Sequence, residues 1–117
     1  MNEQAFKDRT RKFGLAVIGL VEKLPRNRAA DAIGRQLLRG GTSVGANYRA
    51  ACRDRSISEV IAKLGIVEEE ADETVYWQEL LVDSLIVTSE QVSSLRKEAD
   101  ELVAMTVASI KTLRGRK

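Results

Sequence analysis

Residues 28–53 read RAADAIGRQLLRGGTSVGANYRAACR, and the periodicity of this stretch decides the fold. Ala30, Ile33, Leu37, Gly41, Val44, Tyr48 and Ala51 recur at steps of three and four, which is one stripe of an α-helix. The stripe keeps its phase across Gly40-Gly41. One long helix is therefore expected rather than two helices around a glycine turn, although each interior glycine costs about 1 kcal/mol relative to alanine. Gly34, Gly41, Gly45 and Cys52 form a row of small positions on one flank, which lets another backbone approach closely. Asn27 is the expected N-cap.

The same step pattern extends outward. Upstream, Phe6, Thr10, Phe13, Val17, Leu20 and Leu24 make a stripe that ends at Leu24-Pro25, because a residue before proline disfavours the helical region. Downstream, Arg53-Asp54-Arg55 reads as a loop, and Ser56 with Glu59 as a capping box. Ile57, Val60, Ile61, Leu64, Val67, Ala71, Val75, Val82 and Ile86 follow as a core stripe. Thr88 with Gln91 opens a last stripe through Val92, Leu95, Ala99, Leu102, Thr106, Ile110 and Leu113. The expected helices span about 4–24, 28–53, 57–87 and 89–114 of a single domain, 1–117. Four amphipathic helices with short connections predict an all-α, up-down-up-down antiparallel four-helix bundle.

Composition agrees. The 117 residues suffice for one domain, and one proline with 4% aromatic residues argues against a β-sandwich or barrel. The absence of histidine excludes His-based triads and His-ligated metal sites. The lone Cys52 allows no internal disulfide and fits a reducing, cytoplasmic setting. The polar N-terminus does not read as a signal peptide. No apolar run approaches the ~20 residues of a membrane span, so no membrane association is expected. No cofactor is implied. Charge is uneven: residues 25–53 hold six arginines against one acid, whereas residues 54–87 hold nine acids against two cations. Such segments attract each other in the fold, or the basic one faces a polyanion.

On a helical wheel Arg28, Arg35, Arg39, Arg49 and Arg53 fall within an arc of about 80° opposite the apolar stripe. They read either as a ridge for phosphates or an acidic partner, or as a solvated or ion-paired face. Gln36, Ser43 and Asn47 lie on the other flank, as a hydrogen-bonded seam or a binding edge; the seam is the expectation. GGTSVG lacks the lysine and the preceding strand of a phosphate loop. Ala62, Ile66, Tyr76, Trp77 and Leu80 lie away from the third helix's core stripe. A helix apolar on two sides is buried on two sides, which predicts self-association. The run Glu68, Glu69, Glu70, Asp72 and Glu73 suits ion pairing with arginines better than a metal cage, since successive acids diverge around a helix. Ser43, Ser56 and Cys52 have no base aligned with them, so no catalytic residue and no enzyme is predicted.

Gln36-Leu37-Leu38-Arg39, then Ser43-Val44-Gly45-Ala46-Asn47-Tyr48-Arg49-Ala50-Ala51, then Arg53-x-x-Ser56 resemble a known pattern. It is that of the bacterial four-helix bundle proteins associated with intervening sequences in large-subunit ribosomal RNA genes. Gln36, Arg39, Ser43 and Asn47 carry the match. The chain departs from it where a frequent Glu-Gly is Ala50-Ala51, and a frequent Gly-Ser in the third helix is Glu69-Glu70. The resemblance implies a left-handed bundle assembling as a homopentameric ring. The related accessory protein of diversity-generating retroelements binds nucleic acid and contacts a reverse transcriptase. RNA or DNA, a second copy of the chain and a nucleic-acid-handling protein are therefore the expected partners.

Overall fold

The computed structural model describes residues 2–116. It holds four helices: α1 (Glu3–Glu22), α2 (Arg28–Ala51), α3 (Ile57–Asp83) and α4 (Ser89–Arg114). Each begins at a polar cap. The side chains of Asn2, Asn27, Ser56 and Thr88 accept from the backbone N–H of Ala5, Ala30, Glu59 and Gln91. A reciprocal capping box closes at Thr88–Gln91; the Ser56 cap is one-sided.

Three helix ends differ from the periodic reading. α1 stops at Glu22, because Pro25 constrains the turn before it. α2 stops at Ala51 with Cys52 as its C-cap, so Arg53 lies in the connecting turn. α3 stops at Asp83 rather than continuing to 87. Leu85 N–H donates to Val82 O (2.9 Å) and Ile86 N–H to Leu81 O (3.0 Å), which is a Schellman closure. Leu85 occupies its left-handed position at φ 64°, where glycine is usual, and is 89% exposed. The apolar periodicity of Val82 and Ile86 masks this turn, because Ile86 folds back onto the core without being helical.

Five-residue turns join the helices, and the molecule measures 47 × 20 × 20 Å, so neighbours run antiparallel. Packing follows chain order around the bundle, and α1 closes the circle against α4 along its sparsest seam. Phe6, Phe13, Val17, Leu37, Val44, Val67, Leu81 and Leu102 fill the centre. A smaller cluster of Ala51, Leu64 and Ile110 fills one end. The buried hydroxyls of Thr10, Thr74 and Thr106 donate to carbonyls of their own helices. Gln78, 1% exposed, has neither amide atom hydrogen-bonded among the described residues.

The glycine pair in α2 serves packing. A methyl group at Gly41 would lie 2.5 Å from Val17 Cγ2, so α1 approaches α2 as closely as it does only because that position lacks a side chain. α2 therefore runs unbroken through Gly40-Gly41, and its stripe is buried at Ala30, Leu37, Gly41, Val44 and Ala51.

Candidate nucleic-acid interface

With Leu37 and Val44 turned inward, α2 exposes Arg28, Arg35, Arg39 and Arg49, and Arg53 follows in the turn. From Arg28 to Arg49 the row spans about 30 Å at 1.5 Å per residue. The five are not equivalent. Arg39 Nη1 donates to Glu70 Oε1 (3.0 Å) and its Nη2 to Glu73 Oε1 (2.9 Å), both on α3. These partners, the Glu70 hydrogen bond foremost, push the guanidinium's pKa further up. Among the described residues Arg28, Arg35, Arg49 and Arg53 form no ion pair. Both sequence readings of the ridge thus have a place: Arg39 is ion-paired, and the other four point to solvent.

The ridge also widens beyond α2. Lys7 and Arg11 of α1 line the same shallow groove as Thr42, Gly45 and Arg49 of α2. Lys7 is tied to Glu3 one helical turn away (3.2 Å), whereas Arg11 has no ion pair among the described residues. The sequence held one hint of this neighbourhood: the small-residue flank of α2 marks the side on which another helix approaches. It could not say which helix.

Gln36, Ser43 and Asn47 form the expected hydrogen-bonded seam only in part, and its bonds stay within α2. Ser43 Oγ donates to Gly40 O (2.9 Å) and Asn47 Nδ2 to Ser43 O (2.9 Å), both within α2, while Gln36 is exposed. Short polar side chains on a helix reach their own backbone before they reach a neighbour.

The second apolar face of α3 is partly covered within the chain. Trp77 is half-buried against the core, its indole N–H donates to Glu73 Oε1 (3.1 Å), and its ring meets Tyr76 edge-on at 5.1 Å. Leu80 is half-buried, and Ala62, Ile66 and Tyr76 are exposed. Glu73 thus holds Arg39 and Trp77 together. The acidic run serves as a brace between α2 and α3, with Glu70 and Glu73 turned to Arg39.

The fold and this face define a small all-α bundle with arginines along one helix and an acidic brace behind one of them. No helix is long and apolar enough to cross a membrane. The chain belongs to the 23S rRNA-intervening sequence protein family, whose model matches residues 2–108. It is similar to a solved protein of unknown function from the S23 ribosomal protein family of Bacteroides thetaiotaomicron. The two are 34% identical, the match covers 95% of this chain and 99% of that one, and the TM-score is 0.88. Comparison with curated proteins gives no match.

Proposed function

We propose that this chain is a non-enzymatic, self-assembling bundle that binds nucleic acid, or a ribonucleoprotein, through the basic face centred on α2. The observation that carries the reading is the set Arg28, Arg35, Arg49 and Arg53, exposed and without ion pairs among the described residues. Arginine suits this role because its planar fork takes phosphate oxygens in pairs. Arg11 joins the contact surface, and Arg39 drops to a bracing role. The family's link to intervening sequences of 23S rRNA favours RNA as the polyanion. Binding is to be largely independent of base sequence, since no aromatic side chain stands among the exposed arginines to stack on bases. Assembly into a homopentameric ring of left-handed bundles, with Ile66 and Tyr76 at the subunit contact, would repeat the basic face and multiply weak contacts.

The test is a salt titration of binding to a labelled structured RNA and a matched DNA duplex, using protein of known oligomeric mass. Affinity for RNA should fall steeply between about 50 and 200 mM salt. Arg35→Ala with Arg49→Ala should weaken binding and reduce the salt slope by about two. Arg39→Ala should leave the slope nearly unchanged. No binding at low salt, or a slope indifferent to Arg35 and Arg49, would remove nucleic acid from the proposal. A protein-interaction scaffold would remain.

A further inference from the structure

We propose that the groove between α1 and α4 docks an acidic amphipathic helix of another protein. The groove encloses about 660 Å³; half-buried Leu20, Leu24 and Ile86 give its apolar surface, with Phe13 and Leu95 buried beneath. Glu98 and Glu101 of α4 line it, both bridged by Arg9 of α1. One end is stopped by the Leu24-Pro25 turn and by Ile86-Val87. From Lys12 to Lys23 it runs about 16 Å along α1, room for three turns of helix. It is open to solvent along its length, so an occupant is covered on one side only. An amphipathic helix asks for that, and a small apolar molecule does not.

Two further features define the occupant. A methyl group at Gly19 would have nothing within 4 Å, in contrast to Gly41, where it would strike Val17. No internal contact requires Gly19, although glycine in an exposed helix interior costs about 1 kcal/mol relative to alanine. Gly65 of α3 is equally free of internal neighbours, so Gly19 leaves room for a backbone from outside the chain at the groove without by itself requiring one. The rim supplies the charge preference. Lys12, Lys23 and Lys97 are exposed and unpaired among the described residues, while the groove's own carboxylates, Glu98 and Glu101, are engaged by Arg9. The field over the groove is therefore positive, and a helix with apolar anchors at i, i+3 or i+4 and i+7, flanked by Glu or Asp, complements it.

A second copy of this chain supplies a poor occupant. On its acidic helix, α3, the large exposed side chains Ile66 and Tyr76 stand ten residues apart, about 15 Å along the axis, while Ala62, one turn from Ile66, is too small to anchor and Leu80, one turn from Tyr76, is half-buried in its own bundle. Its Glu70 and Glu73 are also already taken by Arg39.

The experiment uses the full chain and three labelled synthetic peptides of about four helical turns. One has leucine anchors flanked by glutamates, the second has lysines in place of the glutamates, and the third is a scramble of the first. Fluorescence anisotropy should show the acidic peptide binding at least about tenfold more tightly than the other two. Gly19→Phe, which fills the groove from a position with no internal neighbour, should weaken that binding by about tenfold or more with no fall in melting temperature. Lys12→Glu with Lys97→Glu, both on the surface, should do the same and serves if Gly19→Phe fails to fold. Equal binding of all three peptides, or binding indifferent to these variants, overturns the proposal. A fall in oligomeric mass in folded Gly19→Phe also overturns it, by assigning the groove to a second copy of this chain.

Discussion

α1 has two seams, and they are built by opposite means. Against α2 it packs through removed side chains: Gly14 faces Gly41, and Gly45 faces the Thr10 backbone. Against α4 it stands further off, held by a charged clasp in which Arg9 Nε and Nη2 donate to the two oxygens of Glu98 (2.8 and 2.7 Å) and Nη2 also reaches Glu101 (3.1 Å). A seam made of backbone proximity gains dispersion and apolar burial and tolerates no added volume. A seam made of one half-exposed ion cluster tolerates added volume and gives up little when cut. The close seam is structural; the open one leaves a groove.

The sharpest way to break this contrast is to add the same side chain on both sides of α1. Gly41→Leu should destabilise the protein by about 3 kcal/mol, because Val17 has nowhere to go. Gly19→Leu should be neutral or stabilising by up to about 1 kcal/mol, from helix propensity alone. Urea unfolding of the two variants measures the difference. If both lose stability equally, the seams are not distinct.

Cutting the clasp should matter less. Arg9→Met keeps an apolar stem on the seam and should cost about 1 kcal/mol at low ionic strength, with the cost shrinking in salt. A larger, salt-independent loss would show that the α1–α4 seam depends on packing after all.

Alkaline pH should produce the smallest effect and separate the seams by chemistry. Tyr48 of α2 packs edge-on against Phe6 of α1 with ring centroids 4.6 Å apart. Burial pushes its hydroxyl above the ordinary tyrosine range, and burial likewise raises the Cys52 thiol beside it. The unfolded chain releases these protons near their ordinary values of about 8.5 and 10, while the folded chain keeps them. Stability is thus complete below that range and declines as pH rises through it. The Arg9 guanidinium, held further up by Glu98, stays charged throughout. Tyr48→Phe should flatten the alkaline decline in a pH series of melting temperatures, and Arg9→Met should not.

The four helices were legible because each carries its own stripe and its own cap, and both are local properties of the chain. The ends of α1, α2 and α3 were overrun by two to four residues. Ile86 keeps helical spacing while Leu85 has already left the helix through a left-handed turn, and no glycine marks the spot. The arginine row was legible as angles on one helix. That Arg39 alone is taken up by Glu70 and Glu73 was not, because helical angles within α2 say nothing of how far around the bundle α3 reaches. Trp77 was assigned to an outward face by the same angles. Its large ring folds back onto the core, with its N–H on Glu73, which a wheel of Cα positions does not represent.

The sequence by itself determined that the chain is four amphipathic helices, where each starts, and which face of each turns inward, since periodicity and capping act within a few residues. It also determined that α2 would be basic on its outer side. Tertiary structure alone decided which arginines stay free, that Arg11 of α1 joins them, and that one seam of the bundle is closed while the other is open. Those outcomes depend on distances between residues far apart in the chain. They are fixed by how closely two backbones approach, and here that turns on Val17 meeting a glycine on one side and on Arg9 reaching two glutamates on the other.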